Sequence, residues 1–155
     1  MLAIELLTRL HDRKRFDCGS TLLNRYLQTQ ATQDMRRRLA NCFVAIQDGT
    51  TIVGYYTLSA SAVLMQDLSE AQTRGLPGYP LVPAALIGRL AVAQSFQREG
   101  VGGVLLVDAL QRARTSAPSV RLLMVDAKDE NAVLFYRHFG FTRLTSRPMT
   151  LFFAL

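Results

Sequence analysis

Cysteine and histidine are scarce in this 155-residue chain, with two of each. Cys18 and Cys42 stand far apart, in no Cys-x-x-Cys pair and beside no pair of histidines, so neither a zinc site nor a redox motif is expected and no metal is assigned. Cys42, within Asn-Cys-Phe-Val-Ala-Ile, reads as a small core residue. His11 and His138 leave too little material for a histidine-based triad, and His138, near a helix end, reads as an ordinary surface histidine. A membrane span is missing too: the longest uncharged run, Gly49 to Gln66, carries Thr50, Thr51, Ser59 and Ser61 and suits a strand. The opening Met-Leu-Ala-Ile-Glu-Leu-Leu has no basic leader and includes Glu5, so no secretory signal is expected and the cytoplasm is the expected location. There are no repeats, linkers or low-complexity tracts. At this length, with 49% hydrophobic residues, one domain over residues 1–155 is expected.

Carboxylates are outnumbered as well, 12 against 18 basic residues, 16 of them arginine; the net charge is +6 and the pI near 9.9. Such a balance points to a polyanionic partner. The densest clusters are Arg13-Lys14-Arg15 and Arg36-Arg37-Arg38. No DNA- or RNA-binding motif accompanies them, and either cluster alone also reads as a solvated face.

What is present is a glycine-rich turn between a buried strand and a helix, Val-Ala-Gln-Ser-Phe-Gln-Arg-Glu-Gly-Val-Gly-Gly over Val92–Gly103. Gly100, Gly102 and Gly103 let the backbone approach a ligand closely, and the first N–H groups of the helix lack partners and favour an anion. The order is not Gly-x-Gly-x-x-Gly, and no Gly-Lys-Ser/Thr follows, so neither dinucleotide nor nucleoside-triphosphate loops fit. On the turn alone, a strand-to-helix connection without ligand competes with a phosphate cradle.

Strands and helices alternate around this turn. Leu2–Leu7 suits a strand. From Ser20, an N-cap, residues Leu22, Leu23, Tyr26, Leu27, Ala31 and Met35 recur at helical spacing to about Leu39. Cys42–Gln47 and Thr51 to about Val63 read as a hairpin through Asp48-Gly49. Gln66–Pro83 reads as irregular, and Ala84–Ala93 as an apolar strand buried on both faces. A helix with core positions Leu105, Leu106, Ala109, Leu110 and Ala113 follows, ending near Thr115. Next come a strand over Arg121–Ala127, a helix from Asp129 to about Phe139 stopped by Gly140, and closing strands at Phe141–Leu144 and Met149–Ala154. The fold class is α+β or mixed α/β, in three layers.

Gln97-Arg98-Glu99-Gly100-Val101-Gly102 resembles the Gln/Arg-x-x-Gly-x-Gly/Ala signature of the GNAT family, the Gcn5-related N-acetyltransferases. Val125–Ala132, then Phe135-Tyr136 and Phe139-Gly140-Phe141, are similar to the family's Asn-x-x-x-x-Phe-Tyr helix closed by Gly-Phe. A narrower likeness covers nearly the whole chain. Phe16-Asp17-Cys18-Gly19, Leu23-Asn24-Arg25-Tyr26-Leu27, Gln33-Asp34, Gly88-Arg89-Leu90-Ala91-Val92 and Val125-Asp126-Ala127-Lys128-Asp129 resemble the GNAT toxins of bacterial type II toxin–antitoxin systems.

The resemblance implies a GNAT-like fold with a central, mostly antiparallel sheet flanked by helices, and acetyl-CoA as cofactor. It implies that Gln97, Arg98, Glu99, Gly100, Val101, Gly102 and Gly103 hold the pyrophosphate and that Asn131 contacts the coenzyme. Tyr136 would lie by its sulfur as the acid for the departing thiolate, and a backbone N–H from Leu90, Ala91 or Val92 would polarise the thioester carbonyl. The implied substrate is the α-amino group of aminoacyl-tRNA, with translation blocked as the result. Arg36, Arg37, Arg38, Arg89 and Lys128 are the expected tRNA contacts. A ribbon-helix-helix antitoxin and a homodimer are the expected partners.

On spacing alone, without the resemblance, Phe135-Tyr136 reads first as an aromatic pair packed on a sheet. Ala84–Ala93 contains no Asp or Glu to serve as base. That omission disfavours lysine side chains, with an unperturbed pKa of about 10.4, and suits α-amines, which titrate near ~8. Two other functions fit the residues: acetylation of a small amine or a protein N-terminus, and a catalytically silent module binding nucleic acid or an antitoxin.

Overall fold

The computed structural model describes residues 2–155; Met1, part of the expected 1–155 domain, lies outside the described residues. Contacts divide the chain into two compact units. The first ends at Ser59 and resumes over Gly88–Ala109, and the second comprises Ala60–Ile87 and Leu110–Leu155.

The first unit begins with β1 (Ala3–Leu6) and a short helix, α1 (Thr21–Arg25), whose N-cap Ser20 hydroxyl accepts from Leu23 N–H at 3.3 Å. The expected single helix is interrupted: a π turn occupies Tyr26–Gln30 before α2 (Ala31–Arg36). The reason lies in the apolar spacing. On a straight α-helix, positions five residues apart face about 140° away from each other, yet Tyr26 and Ala31 are both buried. Closing the turn from Ala31 N–H to Tyr26 C=O, i→i+5, turns both inward.

Arg38, at φ +61, ends the segment, so only Arg36 of the arginine triplet is helical and the other two follow it. β2 (Asn41–Gln47) and β3 (Thr51–Leu64) pair antiparallel through the Asp48-Gly49 turn, both turn residues having positive φ as such hairpins require. Ala45 faces Gly54 while Ile46 faces Ile52, so Val53 is an extra residue on β3, a β-bulge. Phe16, Tyr26, Leu27, Cys42, Val44 and Tyr55 form this unit's core, and Cys42 is the small core residue expected.

Within β3, at Ala60, the chain enters the second unit. The segment expected to be irregular holds a 3-10 turn, Met65–Asp67, and a one-turn helix, α3 (Glu70–Thr73), nucleated by a capping box between Ser69 and Gln72. β4 (Leu81–Val92) starts three residues earlier than its apolar run suggested, with Pro83 inside it. It pairs in parallel with β5 (Leu122–Asp126) from Ala84↔Leu122 to Ile87↔Val125. β4 runs on past that last pair. Gly88 is exposed and Arg89 and Leu90 are half-buried, so the strand is not buried on both faces along its length as expected.

The helix after the glycine turn is α4 (Val101–Arg114). The next, α5 (Glu130–His138), is capped by Asp129, whose carboxylate accepts from Ala132 N–H at 2.8 Å, and is followed by Gly140 at φ +96. β6 (Thr142–Arg143) and β7 (Thr150–Ala154) close the chain, β7 lying antiparallel between β5 and β6. The full strand order is β1-β2-β3-β4-β5-β7-β6, a mixed, mostly antiparallel sheet.

Candidate functional site

The glycine turn is built by fixing its entry. Val53, the bulged residue, turns its carbonyl to accept from Ala93 N–H at 2.8 Å, one residue beyond β4. Gln94 N–H donates to Asp17 C=O at 2.8 Å. The Gln97 side-chain amide then donates to Cys18 C=O at 3.2 Å and to Val92 C=O at 3.0 Å. Gln97 is therefore a strap: both its amide hydrogens are spent on main-chain carbonyls, and it shapes the loop from behind. The Phe16–Gly19 segment it grips is itself rigid, since the Asp17 carboxylate accepts from Gly19 N–H and from Asn24 Nδ2, each at 2.9 Å.

Past the strap, Arg98 at φ +65 and Gly100 at φ +82 bend the backbone through left-handed conformations, the kind of turn that gathers successive N–H groups. Nothing lies within 4 Å of where a Cβ on Gly100 would stand. The first helical bond of α4 runs from Val104 N–H to Gly100 C=O at 3.1 Å, leaving the N–H groups of Val101, Gly102 and Gly103 without an intrahelical acceptor. Backbone donors without helical acceptors, a positive helix end and open space beside Gly100 suit a diphosphate. The helix is held close to its strand at a glycine window: a Cβ on Gly54 would meet Leu105 Cδ1 at 2.9 Å and Ala91 C=O at 3.0 Å.

Leu90, Ala91 and Val92 occupy the end of β4, so the structure brings them into the same unit as Gln97–Gly103 and Arg89. The guanidinium carbon of Arg89 stands over an aromatic ring, 3.6 Å from the Tyr26 centroid. The Tyr26 hydroxyl donates to Asp34 at 2.7 Å, and the Gln30 amide donates to the other Asp34 oxygen at 3.1 Å. Burial, reinforced by that hydrogen bond, pushes the Tyr26 hydroxyl well above its ordinary value, and the same bond lowers Asp34. Tyr26 and Asp34 are the residues that sequence reasoning missed as part of a site. Eight residues apart, they would sit about 12 Å apart along a regular helix, and helix propensity does not announce the π turn. Arg36, Arg37 and Arg38 are all exposed.

Tyr136, Asn131 and Lys128 belong to the second unit. Asn131 and Lys128 are exposed, while Tyr136 is buried on α5 with Phe135 and Phe141 against its ring. The packed aromatic pair is thus real, and it leaves the Tyr136 hydroxyl with no hydrogen bond among the described residues. Burial pushes that hydroxyl up to about 12. In the same unit Asp126 accepts from the Thr150 hydroxyl at 2.7 Å, which ties the end of β5 to β7.

His11 is buried and fully engaged: Thr8 N–H donates to Nδ1 at 2.9 Å and Nε2 lies 2.6 Å from Glu5. Thr8's donation fixes Nδ1 as the acceptor, so His11 is a structural residue. His138 is exposed in the last turn of α5. Among the described residues there is no group of three or more side chains able to hold a metal ion, and no helix is long and apolar enough to cross a membrane.

Residues 17–150, a span that includes the strap, the cradle and Tyr136, match the model of the acetyltransferase (GNAT) domain. The chain belongs to the GNAT acetyltransferase family. It is 34% identical to the tRNA-acetylating toxin of Mycobacterium tuberculosis over 142 residues, which cover 90% of this chain and 84% of that one. Among solved structures, this GNAT chain is similar to AtaT complexed with acetyl-methionyl-tRNAfMet, with a TM-score of 0.90, 31% identity, and coverage of 99% of this chain and 95% of that chain. It is also similar to a tyrosine-to-phenylalanine variant of the AtaT toxin bound to the C-terminus of the antitoxin AtaR and acetyl-CoA, with a TM-score of 0.80, 29% identity, and coverage of 99% and 93%.

Proposed function

We propose that this chain is an acetyl-CoA-dependent N-acetyltransferase toxin that modifies the α-amino group of aminoacyl-tRNA and thereby blocks translation. The observation that carries the reading is the open backbone cradle formed by the left-handed Arg98 and Gly100 ahead of α4. The tRNA-acetylating relative and the tRNA complex of AtaT support the choice of substrate.

Acetyl-CoA supplies an acetyl group already activated as a thioester. In this reading the N–H groups of Gly100, Val101, Gly102 and Gly103 bind the pyrophosphate, Arg98 and Glu99 shape the bend, and Gln97 braces it. Main-chain N–H groups from Leu90 to Val92 orient and polarise the thioester carbonyl. Asn131 holds the coenzyme from α5. Tyr136 donates its proton to the leaving sulfur; a phenol held near 12 by burial stays protonated at neutral pH, as a donor must.

β4 carries no carboxylate, and an α-amine of pKa about 8 needs little help to lose its proton. Arg89, Lys128 and the Arg36–Arg38 cluster take the tRNA phosphates. The toxin acts in the cytoplasm as a homodimer over a single 1–155 domain and is neutralised by a ribbon-helix-helix antitoxin.

The test is incubation with labelled acetyl-CoA and total aminoacyl-tRNA, followed by identification of the labelled amino acid after ester hydrolysis. Label on the α-amine of a tRNA-borne residue is the expected result. Label only on small amines or protein N-termini would refute the substrate.

A further inference from the structure

Arginines on a protein surface usually hold a carboxylate or sway in solvent. Arg89 does neither. Its guanidinium carbon stands over the Tyr26 ring, 3.6 Å from the centroid, and among the described residues it makes no hydrogen bond or ion pair. The Asp34 carboxylate, whose charge Arg89 helps to stabilise through space, spends its hydrogen bonds on the Tyr26 hydroxyl and the Gln30 amide. A phenol donating to a carboxylate is richer in π-electron density, which strengthens its hold on a cation above it. Tyr26 is itself buried, stacked at 6.3 Å on Tyr55, whose hydroxyl is tied to Leu23 C=O at 2.7 Å. The platform beneath Arg89 therefore cannot follow the guanidinium if it moves.

A planar fork with its five N–H groups uncommitted and its position set in advance is a receptor for a phosphate, which it meets with two parallel hydrogen bonds. We propose that Tyr26 and Asp34 are positioning residues that hold the Arg89 guanidinium in place over the ring, uncommitted, to receive a backbone phosphate of the tRNA acceptor strand. The inference rests on the proposed tRNA reading and adds the two residues behind the contact. The π turn serves this arrangement, since it begins at Tyr26 and lets that residue stay buried while Asp34 comes within reach of its hydroxyl.

The test is equilibrium tRNA binding by the intact protein without acetyl-CoA, at several salt concentrations, with thermal unfolding as the folding control. Arg89→Gln should flatten the slope of log affinity against log salt by roughly 0.7–0.9, as expected when one phosphate is no longer neutralised. Tyr26→Leu should flatten it by a similar amount although it removes no charge, and should add little when combined with Arg89→Gln. If Tyr26→Leu does not fold, Tyr26→Phe with Asp34→Asn carries the test: both keep the packing, and each should weaken binding about two- to fivefold when Arg89 is present and not when it is combined with Arg89→Gln. Additive losses, or an unchanged slope in Arg89→Gln, overturn the inference while wild-type acetylation of aminoacyl-tRNA leaves the proposed function standing. A wild-type protein that neither binds nor acetylates aminoacyl-tRNA overturns both.

Discussion

Two glycines allow backbone conformation to be separated from ligand binding. Gly100, in the cradle, and Gly49, in the β2–β3 hairpin, share φ +82, and neither has an atom within 4 Å of where a Cβ would stand. Alanine at either site meets no steric clash and carries only the cost of a left-handed conformation, about 1–2 kcal/mol. For a chain of this size that corresponds to a fall in Tm of about 2–8 °C, the same within error for Gly49→Ala and Gly100→Ala. Their effects on acetyl-CoA should differ. A residue at position 100 that relaxes toward negative φ swings the neighbouring N–H groups out of convergence, and affinity by titration calorimetry should fall at least about tenfold, the scale of a misplaced binding group. Gly49→Ala should bind as wild type does. Matched losses of Tm with matched acetyl-CoA affinity would remove the loop from the binding site. A fall in Tm much beyond about 8 °C in Gly49→Ala would instead show that a side chain there does not stand in open space.

Tyr136→Phe removes a hydroxyl that makes no hydrogen bond among the described residues, so stability and acetyl-CoA affinity should hold while kcat falls by roughly two to four orders of magnitude; full turnover would eliminate it as the acid. Replacing Arg36, Arg37 and Arg38 with Gln should flatten the salt dependence of tRNA binding by up to roughly 0.7–0.9 for each phosphate these arginines neutralise. Acetyl-CoA titration should not change, and an unaltered slope would redirect attention to Arg13-Lys14-Arg15. Burial raises Cys42 from 9.0 to about 12 and Tyr136 from 10.0 to about 12, so above about pH 9 the unfolded chain loses protons that the folded chain keeps. Stability in urea should therefore decline from about pH 9 toward pH 12; a flat or rising curve between about pH 8 and 10.5 would contradict the burial of these two groups.

Local chemistry made some features legible and hid others. Asp48-Gly49 announces its hairpin because both positions must adopt positive φ, and Asp129 and Gly140 mark the ends of α5 by capping chemistry alone. The cradle is legible for the same reason: Gly100 stands where a left-handed residue is needed. Arg98, the other left-handed residue, is not, since nothing in an arginine signals positive φ. Gln97 matches a family signature, yet which groups its amide would hold depends on Cys18, 79 residues away. β4 reads as apolar throughout, and only its register with β5 reveals that Gly88–Leu90 stand clear of full burial. The Tyr26–Asp34 bond depends on a helix irregularity that propensity does not encode.

The π turn also constrains how this segment can change over evolutionary time. Deleting one residue between Tyr26 and Ala31 would restore regular i→i+4 bonding, and local propensity would favour it. It would also rotate everything downstream by about 100°, carrying Asp34 away from the Tyr26 hydroxyl and altering the direction in which the chain leaves α2 toward β2. Substitution is tolerable here one residue at a time, whereas a change in length is not. Homologous chains that retain this arrangement should therefore vary in sequence across positions 26–34 and agree in the number of residues between the tyrosine and the aspartate.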